Sequence, residues 1–180
     1  MAGVALCVPI AKLMGKKTTF IFVNAALVVL SIAFFFVPCT PLGFWMMLIL
    51  QMVISIFTGV MSPLIWSMYA DVSDYAELKF RTASTGLIFS SASMAQKFGG
   101  AISGAAVLWL LSAFGYITDA AQLEAGAVQP ESALMALRWL MSFIPAAVAA
   151  LAMVVVWFYP LTRKRVHEIS SELKKIRSIE

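Results

Sequence analysis

The stretch Tyr69–Gly104, YADVSDYAELKFRTASTGLIFSSASMAQKFGGAISG, decides the fold of this chain. Its first part holds the acidic residues of the first hundred positions, and its second part is a long apolar segment with a single charge, Lys97. A charged side chain at the centre of a bilayer-spanning helix costs about 2.5–3.5 kcal/mol. Lys97 lies 16 residues after Arg81 and 22 residues before Asp119, too far from either membrane surface for its side chain to reach water. We therefore expect Lys97 to face a protein interior.

The composition predicts an integral membrane protein. The chain is 62% hydrophobic and 12% charged, and its mean hydropathy is +0.92, whereas soluble domains carry about 25% charged residues. A soluble core of 180 residues cannot cover so much apolar surface. The net charge of +4 does not indicate a nucleic-acid partner, because the basic residues cluster at predicted membrane edges and in the C-terminal tail.

The order of apolar segments predicts an all-α membrane fold with four full transmembrane helices and a partial one. A bilayer-spanning helix needs about 20 apolar residues, so the first segment is too short to cross alone. A basic turn, a charged loop at 67–82 and a polar loop at 115–131 separate the segments, and the tail is 160–180. The predicted spans are 1–11 (partial), 18–37, 43–66, 83–114 and 133–159.

The distribution of Lys and Arg predicts the orientation. The turn that contains Lys12, Lys16 and Lys17 has three, the loop 67–82 has two, and the tail has six, whereas the loops 38–42 and 115–131 have none. The basic loops and the C-terminus should therefore be cytoplasmic, in a multi-pass protein of the inner (plasma) membrane. Arg138 is the one basic residue expected on the outer side.

Apolar residues recur at helical spacing in the basic tail, which predicts an amphipathic helix on the inner membrane surface. A solvated, frayed tail is an equally good interpretation. The apolar positions are Val166, Ile169, Leu173 and Ile176.

The predicted helix 83–114 has a small, polar face around Lys97. Gly100 and Gly104 form a GxxxG pattern that lets another backbone approach closely. One interpretation is a packing face on which Lys97 pairs with a structural acid or carbonyl. The other is a cavity wall where Lys97 binds substrate, with Gln96 and Trp66 as neighbours that ordinary packing would also explain. The residues that share this face with Lys97 are Ser90, Ser93, Gly100, Ala101 and Gly104.

The charges of the loop 67–82 have two interpretations. They form a solvated connector, since surface charges contribute little to stability, or they form ion pairs that hold a transport gate in one state. The charged residues are Asp71, Asp74, Glu77, Lys79 and Arg81.

The segment YADVSDYAELKFRTASTGLIFSSASMAQKFGGAISGA, followed by WLLSAFGY, resembles the glycoside–pentoside–hexuronide:cation symporter family. That family has an A-D-x-x-D-Y-x-E-x-K…R…G segment followed by an A-Q-K-x-G-G helix. Ala76 stands where the family usually has glycine, and Leu78 where it commonly has tryptophan or tyrosine. The turn AKLMGKK resembles a degenerate form of the basic motif after the eighth span of major-facilitator proteins.

The resemblance implies that the chain is the C-terminal part of a twelve-span major-facilitator-type bundle. It implies symport of a sugar or glycoside with Na⁺ or H⁺, no covalently bound cofactor, and a cation site mainly in an N-terminal bundle outside this sequence. Lys97 would lie at the sugar and cation region. The helix face around it and its neighbours add Ser93, Gln96 and Trp66 as substrate-binding candidates. The cytoplasmic gate would contain Asp71, Asp74, Tyr75, Glu77 and Arg81.

Two other functions are compatible with the sequence. A lipid or lysolipid carrier of the same fold would use a broad apolar cavity with one headgroup-binding lysine. A membrane interaction protein that transports nothing would use Gly100 and Gly104 to dimerise. An enzyme is not indicated, because the sequence contains no nucleophile–base pair, metal-ligand spacing or phosphate-binding loop.

Overall fold

The protein is described by a computed structural model over residues 2–38, 40–82, 84–119, 126 and 128–177. The predicted partial span, the polar loop and the tail each extend into positions outside these residues. Within the described ranges the chain is helical and contains no β-strand. The helices are α1 (Ala2–Met14), α2 (Lys16–Phe35), α3 (Pro41–Phe80), α4 (Thr85–Ala113), α5 (Glu131–Met141), α6 (Phe143–Trp157) and α7 (Arg163–Arg177).

Four helical segments are long and apolar enough to cross a membrane: α2, α3, α4 and the consecutive pair α5–α6. This confirms an all-α membrane fold with four full transmembrane helices. The thirteen-residue α1 is shorter than a membrane span and packs along α3. Gly15, with φ of 83°, makes the turn between α1 and α2, a backbone conformation that glycine adopts without strain.

The predicted charged loop at 67–82 is wrong, because α3 continues as one helix to Phe80. Its 40 residues are about 60 Å long, twice the thickness of the hydrocarbon core. No Gly or Pro interrupts residues 67–82, and the Ala, Glu, Leu and Lys residues there favour helix. Val72, Tyr75 and Leu78 also share a face that packs against an apolar cluster of the tail. Arg81 ends the helix in a left-handed conformation, with φ of 53°.

The predicted span 133–159 is interrupted at Ser142, where φ is −122° and ψ is −77°. Pro145 causes the break, because its ring has no N–H to donate to the carbonyl of Met141 and clashes with that carbonyl. The Ser142 hydroxyl donates to the carbonyl oxygen of Arg138 at 2.5 Å, so the side chain replaces part of the lost helical hydrogen bonding.

The core lies where α1, α2 and α3 meet, and Ala152 and Val156 of α6 pack against it. At its centre Leu64 is fully buried and Val23 is 1% exposed. Gly3 of α1 lies against Gly59 of α3, where a Cβ built on Gly59 would be 3.3 Å from the Gly3 Cα. The two backbones therefore touch at this crossing, as small residues permit in membrane helices.

The tail forms the helix α7, which docks on the end of α3. Its apolar residues Leu161, Ile169 and Leu173 are buried against the part of α3 that extends beyond Asp71. The apolar stripe that predicted a membrane-surface helix therefore packs against the protein's own α3. We call this end of the bundle, where α3 ends and α7 docks, the tail end.

Candidate functional site

A partly buried ion pair lies at the tail end of the bundle. The Lys16 ammonium donates to both carboxylate oxygens of Asp71 at 2.7 Å and to the Ser67 carbonyl at 3.1 Å. The Asp71 side chain is 9% exposed and that of Lys16 is 34% exposed. A carboxylate with so little access to water needs such a partner. The pair joins the start of α2 to α3, so Asp71 of the predicted gate finds its partner within this chain.

The next residue, Lys17, holds a different helix. Its ammonium donates to the carbonyl oxygens of Trp157 and Tyr159, both at 2.8 Å. These carbonyls lie at the last residue of α6 and two residues after it, where the backbone has no helical donors left and the helix dipole favours a cation. Two consecutive lysines thus hold α3 and the end of α6 to the beginning of α2.

Two further contacts join the segment that follows α6 to α3 and α1. The Tyr159 hydroxyl donates to the Met68 carbonyl at 3.4 Å, and Arg163 donates to the Leu13 carbonyl at 3.2 Å. Burial, reinforced by the Asp71 carboxylate, raises the pKa of Tyr159, so its hydroxyl keeps the proton that it donates. We refer to Lys16, Lys17, Asp71, Tyr159 and Arg163 as the tail-end cluster.

The other predicted gate residues have different surroundings. Asp74 is half-buried on α3, and the Tyr75 ring packs against the apolar cluster of α7. The Glu77 carbonyl accepts a hydrogen bond from the backbone N–H of Arg81 at 2.9 Å, and the Arg81 side chain is exposed. Their role in gating stays a prediction.

The polar face of α4 is open. Lys97 and Gln96 are exposed, Ser93 is half-buried, and among the described residues no hydrogen bond or ion pair joins to Lys97. A Cβ added to Gly100 or Gly104 would meet no atom within 4 Å. In the described part of the chain, therefore, nothing packs against Gly100 or Gly104 on this face.

An aromatic cluster connects this face to α3. The rings of Trp66 and Phe89 are stacked, with centroids 5.8 Å apart and planes 16° apart, and Tyr69 meets both rings edge-on. Phe89, Ser93 and Lys97 follow each other at four-residue spacing and so lie along one side of α4. The fold therefore brings Trp66 to the same side of α4 as Ser93. The sequence analysis missed Phe89, although its spacing from Lys97 was a readable signal.

The start of α4 is fixed beside α3. The hydroxyl oxygens of Ser73 and Thr85 are 2.6 Å apart, so the chain reverses after Arg81 and returns along α3. Within the described residues, no group of three or more His, Cys, Asp or Glu side chains is arranged to hold a metal ion. In the described part of the chain, α4 offers an open helix face with polar side chains and one cation, Lys97.

These features define a multi-pass helical membrane protein, with a polar helix face at membrane depth and a charged cluster at one end of the bundle. A family model described as "MFS/sugar transport protein" matches residues 1–163. The chain therefore belongs to this family of transporters, and it is not an enzyme.

Individual relatives agree with the family. The chain is 32% identical, over 92% of its length, to the glucuronide carrier protein homolog of Escherichia coli, and covers 34% of that protein. It is 29% identical over 96% of its length to the inner membrane symporter YicJ of the same organism, covering 36% of it. It is 43% identical to the isoprimeverose transporter of Lactiplantibacillus pentosus over 36% of its own length and 14% of that protein. The chain thus spans about a third of the length of the first two relatives.

Proposed function

We propose that this chain is the C-terminal part of a secondary active transporter that carries a sugar or glycoside together with a cation, Na⁺ or H⁺. The two relatives of which it covers about a third are named as a carrier and a symporter. In this proposal an N-terminal bundle completes the substrate cavity and supplies most of the cation site. Transport then consists of two bundles rocking about a site near the middle of the membrane.

The observation that carries the proposal is the position of Lys97. Its side chain is exposed near the middle of α4, a helix in which no described residue is buried. Leaving an ammonium group in lipid is costly, so this face of α4 would line a polar cavity. Hydroxyl groups of a sugar can accept hydrogen bonds from Lys97. They can both donate hydrogen bonds to Ser93 and Gln96 and accept hydrogen bonds from them.

The tail-end cluster supports a more specific account of the gate. Lys16 and Asp71 are both in this chain, and with Lys17 they tie α2, α3 and α6 together. Such contacts would keep the C-terminal bundle rigid while it rocks. The exposed Arg81 at the end of α3 would instead meet the other bundle when the cavity closes on the cytoplasmic side.

The test of the proposal is uptake of radiolabelled glycosides by vesicles from cells that express the gene in its native context. Lys97→Ala should abolish accumulation while the amount of protein in the membrane stays normal. Lys174→Ala, which removes an exposed tail lysine, is the matched control and should transport normally. Normal uptake by Lys97→Ala would contradict the proposed substrate site.

The coupling cation and the gate need separate measurements. Uptake should require either a Na⁺ gradient or a proton gradient, and should stop when that gradient is collapsed. Arg81→Gly removes the charge while glycine keeps the left-handed backbone without strain, so it should change the transport rate more than the substrate affinity. A changed affinity at an unchanged rate would contradict the gate assignment.

The predicted orientation, with the tail in the cytoplasm, is part of the same proposal. A cysteine placed at the exposed position Lys174 should react with a membrane-impermeant thiol reagent only in inside-out vesicles. Labelling in right-side-out vesicles would reverse the orientation.

A further inference from the structure

In the described part of the chain, hydrogen bonds and ring contacts join α4 to other elements at three places. At its start, the hydroxyl oxygens of Thr85 and Ser73 are 2.6 Å apart. One turn later, the Phe89 ring meets two aromatic rings of α3. Just beyond its last residue, the Phe114 carbonyl accepts a hydrogen bond from Ser132, and the Phe114 ring meets an aromatic ring of α5.

Of these three places, Phe89 is the one nearest to Lys97. Eight positions separate the two residues, about 12 Å of helix, whereas Phe114 is 17 positions from Lys97, about 26 Å. From Thr85 to Ala113 α4 is one helix. The rotation of this helix at Phe89 therefore sets the direction in which Lys97 points.

The Phe89 ring is held from two directions. It is stacked on the Trp66 ring, with the planes 16° apart, and Tyr69 meets it edge-on, at 76° and a centroid distance of 6.4 Å. Trp66 and Tyr69 are themselves at 86° to each other, so the two rings form a corner that receives Phe89. Stacked and edge-on arrangements are the ones that aromatic pairs prefer, and a corner of two rings also prevents Phe89 from sliding along either one. We call these two rings the aromatic corner of α3.

The aromatic corner belongs to a section of α3 that is tied to other parts of the chain. The Ser67 carbonyl and the Asp71 carboxylate accept hydrogen bonds from Lys16 of α2. The Met68 carbonyl accepts one from the Tyr159 hydroxyl. All three acceptors lie within two positions of a residue of the corner. The corner is therefore fixed independently of α4.

We propose that Phe89 is a positioning residue for the substrate site. Its contact with the aromatic corner sets the rotation of α4 about its own axis, and this rotation aims Lys97 at the substrate. In this assignment Phe89 does not touch the substrate. The inference rests on the proposed transport function for the meaning of the site, but the orientation of α4 can be measured without transport.

The structural test is the mobility of a nitroxide spin label at Lys97→Cys in the full chain in detergent, with Cys7 and Cys39 replaced by alanine. Phe89→Ala should add a more mobile component to the electron paramagnetic resonance spectrum, because α4 loses its contact with the corner. Phe89→Tyr keeps the ring and should restore the parent spectrum. Leu87→Ala removes an exposed side chain of the same helix and is the matched control. An unchanged spectrum in Phe89→Ala would overturn the proposal.

A transport measurement separates positioning from a general loss of structure. In the glycoside-uptake assay, Phe89→Ala should raise the half-saturating substrate concentration about tenfold, the loss expected for one charge-assisted hydrogen bond. The maximal rate per carrier should stay close to that of the parent. Phe89→Tyr should restore the half-saturating concentration, and Leu87→Ala should not change it. A lower maximal rate or less protein in the membrane, at an unchanged half-saturating concentration, would mean that Phe89 only supports the fold and would overturn the proposal.

The two measurements also distinguish a failure of this inference from a failure of the proposed function. If Lys97→Ala accumulates glycoside normally, the proposed substrate site is wrong, and the positioning role falls with it. If Lys97→Ala is inactive while Phe89→Ala matches the parent in both measurements, the proposed function stands and only the positioning role is overturned. If the parent takes up no glycoside, the proposed function fails, and the spectra still decide whether Phe89 orients Lys97.

Discussion

The ammonium nitrogen of Lys16 lies 2.7 Å from each carboxylate oxygen of Asp71 and 3.1 Å from the carbonyl oxygen of Ser67. All three groups lie within one chain, at the junction of α2 and α3. A charge pair inside one bundle stabilises that bundle whichever way the transporter faces. A charge pair between two bundles would instead stabilise one state. The pair therefore bears on the packing of α2 against α3, and the gate role of Asp71 stays a prediction.

Asp71→Asn should lower the melting temperature of the protein in detergent. The change leaves the Lys16 ammonium with a weaker acceptor, and hydrogen bonds to charged groups contribute about 1.5–3 kcal/mol. The control is Glu168→Gln, since Glu168 and Arg165 are exposed and 3.9 Å apart, and such surface pairs contribute little. If both variants melt at the same temperature as the parent, the Lys16–Asp71 pair does not stabilise the fold.

Gly3→Ala should destabilise the contact between α1 and α3. A Cβ on Gly3 would lie 2.2 Å from the carbonyl oxygen of Ile56, so the two helices must separate, and overpacking of this kind typically costs about 1–3 kcal/mol. Gly104→Ala is the control, because its Cβ would meet nothing within 4 Å and alanine favours helix. Thermal unfolding followed by circular dichroism compares the two, and an unchanged Gly3→Ala melting temperature would refute the close approach.

Phe89→Leu should change the environment of Trp66 while leaving α4 helical. The stacked pair has a centroid distance of 5.8 Å, and such pairs contribute about 0.5–1.5 kcal/mol beyond the area they bury. We expect a change in the near-ultraviolet circular dichroism of the tryptophans. Phe98→Leu alters an exposed ring on the same helix and should leave the spectrum unchanged. Identical spectra for the two variants would mean that the Trp66–Phe89 stack does not form.

Leu173→Asp should release α7 from α3. Leu173 is 4% exposed and packs in the apolar cluster with Leu161 and Ile169, where a carboxylate would lose its hydration. Limited trypsin digestion should then cut rapidly at the basic residues at the start of α7, from Arg163 on.

The neighbouring substitution Lys174→Asp is the control for this experiment. Lys174 is exposed, so its variant carries the same new charge without entering the apolar cluster and should resist trypsin as the parent does. Equal cleavage of the two variants would show that α7 is not held by its apolar residues.

The sequence alone was sufficient to predict the class of protein, because a transmembrane helix is recognisable from its own residues. A run of about 20 apolar residues predicts a span wherever it folds, and this rule identified the helices that became α2, α3, α4 and α5–α6. The small, polar face around Lys97 could be predicted for the same reason, since side-chain spacing on a helix is fixed. The expectation that Lys97 faces a protein interior is not met within the described residues, where its side chain is exposed.

The local rules failed where charge density was taken as evidence of a loop. The residues Asp71–Phe80 are polar enough to read as a connector, yet they remain helical. The packing that stabilises this part of α3 as a helix comes from α7, about ninety positions later in the sequence, which covers Val72, Tyr75 and Leu78. Burial by a distant segment has no signal in a local window, so this boundary could not be predicted.

The sequence by itself determined that the chain has helices long and apolar enough to span a membrane, that one lysine lies within such a helix, and which family motif surrounds it. Only the tertiary structure decided which partners the charges find: Asp71 with Lys16, and Lys17 with the end of α6. The physical reason is the range of the interactions. Apolar burial in lipid acts on each segment separately, whereas an ion pair depends on the packing of helices that are far apart in the chain.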